Sequence, residues 1–83
     1  MSEIELILAS LSQIEQDTTI PKSIRAKVKS ALMALQEENG KTMGMKIDKA
    51  LQELDEVSDD PNIQPFTRNQ IWEIVSGLSS QIK

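Results

Sequence analysis

Two arginines, Arg25 and Arg68, each follow an aspartate by eight residues, Asp17 and Asp60. A guanidinium offers several donors in a rigid fork, which suits an anion or a set of backbone carbonyls. The pattern therefore admits two chemistries. One is a paired anion or partner site; the other is a pair of structural ties, each closing a loop between helices by bonding Asp17 or Asp60 or the loop carbonyls. The structural reading is preferred, because Asp and Arg recur together in two similar segments, and a repeat that keeps its loop chemistry keeps its own fold.

Other groups offer less. Lys22, Arg25 and Lys29 share one sector of a helical wheel, while Lys27 points elsewhere. That sector faces away from the apolar stripe and reads as a solvated face, complementing a first helix that carries Glu3, Glu5 and Glu15 and no base. Neither Phe66 nor Trp72 interleaves with the lysines, so the stacking platform of a single-strand binder is missing. The formal charge of −4 also opposes phosphate binding. The acidic run Glu53, Asp55, Glu56, Asp59 and Asp60 lacks the Gly turn and distal Glu of a calcium loop. Cys and His are absent, which removes thiol nucleophiles, histidine acid–base chemistry, zinc sites built on either residue, and disulfides. The remaining Asp, Glu, Lys, Ser and Thr fall in no motif with an activating partner. The chain reads as non-enzymatic, with no cofactor and no metal.

The apolar residues outside the helical stripes are more informative. Leu6 lies off the first stripe and is expected on the surface. Trp72 flanks the fourth stripe and is expected in the core, where one large aromatic closes a small bundle, with a partner anchor as the alternative. Phe66 lies on another side of that helix, and Met33, Met43 and Met45 add adaptable apolar surface. Leu6, Phe66 and Trp72 are the candidate partner surface.

The elements that position these residues follow from apolar spacing. Ile4, Ile7, Leu8, Leu11 and Ile14 share one helical face, with Ser2 and Glu5 spaced as a capping box. Pro21 suits the first turn of a second helix carrying Ile24, Val28, Ala31, Leu32 and Leu35 inward, and Gly40 is a natural stop for it. Thr42 caps a third helix with Ile47, Ala50, Leu51, Leu54 and Val57. Asp59-Asp60-Pro61-Asn62 ends it, and Pro65 opens a fourth with Ile71, Ile74, Val75, Leu78 and Ile82. No segment alternates as a half-buried strand does.

An offset of 43 residues superimposes Asp17 on Asp60, Ile20 on Ile63, Arg25 on Arg68 and Leu35 on Leu78. The spacing resembles a HEAT-type unit of about 40–47 residues, but two units fall short of a solenoid. Each half is one helical hairpin that cannot bury its stripe alone. The expected fold is all-α, a four-helix bundle in one domain spanning 1–83, with hairpins 1–40 and 41–83. Eighty-three residues with 39% apolar and 27% charged residues support one core. The segment Met1-Ser2-Glu3-Ile4-Glu5 has no positive leader and no long apolar stretch, so no membrane segment is expected, and the expected location is cytoplasmic.

At Asp17-Thr18-Thr19-Ile20-Pro21 with Ile24-Arg25, and again at Asp60-Pro61-Asn62 with Arg68 and Ile71-Trp72-Glu73-Ile74-Val75-Ser76, the chain resembles a small archaeal family, uncharacterised protein family 0147. The resemblance covers nearly the whole chain. It implies a small soluble four-helix bundle and no activity, substrate or cofactor. The functional expectation is a module that docks another protein or itself. The alternative is an RNA- or ribosome-associated accessory protein using Lys22, Arg25 and Lys29.

Overall fold

The computed structural model describes residues 3–37, 40 and 42–81. Ser2 and Ile82, invoked above for a cap and a stripe, lie outside these residues. Helices α1 (Glu3–Gln16), α2 (Lys22–Gln36), α3 (Met43–Ser58) and α4 (Pro65–Ser80) follow one another in the chain. Each packs on the next, and α4 returns against α1, while the diagonal pairs stand farther apart across the core among the described residues. The result is an antiparallel four-helix ring 33 × 24 × 22 Å across.

The inward stripe of every helix meets in one core. Leu11, Ile24, Ile47, Leu54, Ile71 and Leu78 are fully buried there. Such burial is worth about 1.5–3 kcal/mol for each side chain. Ile20 and Ile63, in the α1–α2 and α3–α4 turns, are also buried and plug the same end of the bundle. Thr67 takes the place in α4 that Ile24 holds in α2, and it too is buried.

The helix ends differ in detail from the sequence expectation. Pro21 stands at the cap position before α2, with φ −53° and ψ 144°, rather than inside the first turn. Pro65 is the first residue of α4, where its missing N–H costs nothing. Thr42 Oγ1 accepts from the Met45 N–H at 3.3 Å and caps α3. Helix α2 ends at Gln36 because Glu37 turns extended, at φ −61° and ψ 134°. Gly40 therefore does not stop the helix; it takes its left-handed φ of 86° farther along the connection.

The repeat reappears in the turns as matched hydrogen bonds. Ile20 N–H donates to Asp17 O at 3.1 Å, and Ile63 N–H donates to Asp60 O at 3.1 Å. Asp17 N–H reaches Ile14 O, and Asp60 N–H reaches Val57 O, again at offset 43. An approximate twofold thus relates α1–α2 to α3–α4, and it carries the α1–α4 seam onto the α3–α2 seam.

Candidate functional site

The two carboxylates of the turns serve their own loops. Asp17 Oδ1 accepts from the Thr19 N–H at 2.9 Å and the Thr19 hydroxyl at 2.6 Å. The Thr19 hydroxyl, helped by its N–H and more weakly by the Arg25 charge, holds the Asp17 carboxyl below its ordinary value. Asp60 Oδ1 accepts from the Asn62 N–H at 2.8 Å. The arginines bond carbonyls: Arg25 Nε donates to Ile20 O at 3.0 Å, and Arg68 Nε donates to Ser58 O at 3.1 Å. Arg25 thus holds its own loop, whereas Arg68 reaches back to the end of α3, where carbonyls lack helical partners.

The lysines of α2 diverge. Lys22 and Lys29 are exposed. Lys27 turns to Glu56 of α3 at 2.8 Å rather than to the acidic α1. That contact raises the Lys27 pKa and lowers that of Glu56, through the hydrogen bond first and the charge second. Lys49 lies 3.7 Å from Glu53, one turn along α3. Within the acidic run of α3, Glu56 is thereby paired across the α2–α3 seam and Glu53 within its own helix. No cluster of three metal-ligating side chains occurs among the described residues.

Trp72 is 55% exposed and does not close the core, which corrects the sequence expectation. Ile71 and Val75 take the inward and half-buried places beside it, so the indole stands out along the α3 side of α4. Leu6 is 53% exposed and Phe66 72%. Met33, Met43 and Met45 are exposed as well. The structure does not gather Leu6, Phe66 and Trp72 into one patch. By helical position, Leu6 and Phe66 turn toward the α1–α4 seam at opposite ends, and Trp72 turns away from it.

That seam holds an open groove of about 490 Å³. Its floor is the outer edge of the buried Ile7, Ile14 and Ile74, exposed Leu6 adds apolar surface above it, and Ser10, Gln13 and Gln70 supply neutral polar surface. Glu3 and Glu73 stand on its two walls, and among the described residues no Lys or Arg lines it. Glu3 Oε2 also accepts from the Gln81 side-chain amide at 3.3 Å.

The approximate twofold shows why this seam stays open. Ile7 and Ile74 occupy the places of Ala50 and Ala31 in the α2–α3 seam, so bulky side chains hold α1 and α4 apart where alanines let α2 and α3 close. The α2–α3 contact is accordingly the most extensive in the bundle and the α1–α4 contact the least. Gln13 and Gln70 stand where Glu56 and Lys27 form their ion pair. Leu6 stands where Lys49 does, and Glu3 where Lys46 does. A second, smaller depression of about 340 Å³ lies at the α2–α3 seam, where Ser30, Ala34 and Lys49 are the repeat equivalents of Glu73, Gly77 and Leu6, so that seam is narrowed rather than sealed. Ser10, Gln13, Gln70 and Glu73 have no place in a motif search; the signal that finds them is the difference between repeat positions.

No described helix is long and apolar enough to cross a membrane. A UPF0147 protein of Methanocaldococcus jannaschii is 44% identical over 82% of this chain and 72% of its own length. One from Pyrococcus furiosus is 37% identical over 95% of this chain and 83% of its own length. Among solved structures, the crystal structure of unknown function protein MMP1188 superimposes with a TM-score of 0.89 at 40% identity, covering 94% of this chain and 88% of that one. The model of the Uncharacterised protein family (UPF0147) matches residues 1–80, and the chain belongs to that family.

Proposed function

We propose that this chain is a non-enzymatic protein–protein interaction module that docks its partner along the α1–α4 groove. The observation that carries the reading is the contrast between the two seams. One is narrow and crossed by the Lys27–Glu56 pair; its counterpart is a wider channel in which exposed Leu6 stands over the buried Ile7, Ile14 and Ile74. A groove with an apolar floor and a polar rim is what a helix-in-groove contact uses. The same proposal sets the chain in the cytoplasm and gives it no cofactor.

RNA contact through Lys22, Arg25 and Lys29 is the weaker alternative, because the Arg25 Nε is already committed to the Ile20 carbonyl. Affinity capture with the native chain and with Leu6→Gln, each with and without nuclease, separates the two. The docking reading expects a stoichiometric protein that survives nuclease and is lost with Leu6→Gln. Capture that vanishes on nuclease treatment, and is indifferent to Leu6→Gln, overturns it in favour of RNA.

A further inference from the structure

We infer that the occupant of the α1–α4 groove is an amphipathic helix bearing lysine or arginine beside its apolar stripe; the inference rests on the docking reading above. Its first support is charge. Glu3 on α1 and Glu73 on α4 put a carboxylate on each wall, and among the described residues no Lys or Arg lines the groove. Helix α1 has no Lys or Arg anywhere in its length. An approaching helix with flanking bases would meet opposite charge on both sides of its apolar stripe, which favours encounter and fixes orientation.

Shape supports the same occupant. From Glu3 to Gln13 the groove runs about 15 Å at the helical rise, room for roughly three turns of a docked helix. Its apolar floor is interrupted at the middle by Ser10, whose small side chain leaves space for an inserted Leu or Ile. The groove is open along its length, and a small ligand there would keep much of its surface in water, unlike ligands held in enclosed pockets.

A second copy fits less well. In a twofold dimer the same patch faces itself. Glu3 and Glu73 would then approach their own counterparts on a chain of net charge −4. The chain does contain one basic amphipathic helix, α2, but Ile24, Val28, Ala31 and Leu35 are buried in its own core, so a folded copy cannot offer that face.

The test uses two labelled peptides of roughly 20 residues, beyond the length of about 12–15 below which isolated helices are marginal. Both carry Leu at i, i+3, i+4 and i+7; one has Lys at the flanking positions and the other Glu. Fluorescence anisotropy against the native chain is expected to show about tenfold tighter binding of the Lys peptide, weakening as salt rises. The double substitution Glu3→Lys with Glu73→Lys is expected to reverse that preference, and Leu6→Gln to weaken both. Equal binding of the peptides, or no reversal, overturns the basic helix; docking in the groove survives that result if Leu6→Gln still weakens binding. Failure of both peptides, with self-association that Leu6→Gln breaks, makes the occupant a second copy. Failure of both with a monomeric chain overturns the groove as a docking site altogether.

Discussion

Ile7 and Gly77 interlock across the α1–α4 seam: a Cβ placed on Gly77 would stand 3.2 Å from Ile7 Cδ1 and 3.4 Å from Glu3 Oε1. Their counterparts in the α2–α3 seam are Ala50 and Ala34. The larger residue on one helix is thus matched by the loss of a methyl on the other. Glycine inside a helix costs about 1 kcal/mol relative to alanine, so Gly77 is retained against propensity by the room Ile7 needs.

This contact predicts coupling between the two sites. Gly77→Ala alone is expected to stabilise the protein by less than the roughly 1 kcal/mol that helix propensity provides. Ile7→Val, which removes Cδ1, is expected to cost about 0.5–1.5 kcal/mol. In the Ile7→Val background, Gly77→Ala should gain close to its full value. Urea denaturation of the four proteins in this cycle gives the coupling directly, and strictly additive effects would refute the steric account.

The loop aspartates predict a difference between neighbours. Asp60→Ala removes the acceptor of the Asn62 N–H and is expected to cost about 1 kcal/mol. Asp59→Ala leaves the cap bonds made by its backbone N–H to Asp55 O and Val57 O, and should change stability by less than about 0.5 kcal/mol. Equal shifts in thermal unfolding would mean that Asp60 does not hold its turn.

Acid and base limits of stability follow from three groups. Asp17 and Glu56 titrate below their ordinary values of 3.8 and 4.5 in the folded chain, so each contributes stability above that value, and loses it as pH falls through the depressed folded pKa. Lys27 titrates above 10.5, so its contribution is complete below that pH and is lost as pH rises through the raised folded pKa. These three groups therefore leave stability level between about 4.5 and 10.5. Thr19→Val removes the hydroxyl donor that contributes most to the Asp17 shift, and should move the Asp17 carboxyl titration upward in NMR. An unmoved titration would assign the shift to another neighbour.

Trp72 predicts an optical result. With its ring more than half exposed, the single tryptophan should emit as a solvated indole and be quenched readily by acrylamide. Trp72→Ala should alter stability by no more than about 0.5 kcal/mol. A shielded, unquenched emission from the isolated chain would show that Trp72 is covered.

How far the sequence could be read varied with the kind of interaction. Helical periodicity located all four helices, because each stripe, such as Ile24, Val28, Ala31 and Leu35, is set by backbone geometry alone. Size and flank position do not decide the burial of Trp72: Ile71, one residue away, already fills the inward place. The left-handed freedom of Gly40 is legible and points to a stop there, whereas the extended turn at Glu37, which ends α2, has no residue-type signature. The α1–α4 groove depends on a difference between equivalents, Ile7 against Ala50 and Ile74 against Ala31. Those pairs were in the repeat, but matching it by identities directs attention to what the halves share.

The most direct test of the account maps the leucine–lysine peptide onto the folded chain by amide chemical-shift perturbation. Shifts concentrated on Leu6, Ser10, Gln13, Gln70 and Glu73, with the α2–α3 seam around Lys27 and Glu56 unperturbed, are the predicted result. Shifts centred on the α2–α3 seam, or no shifts at saturating peptide, would contradict the claim that the open seam is the docking surface.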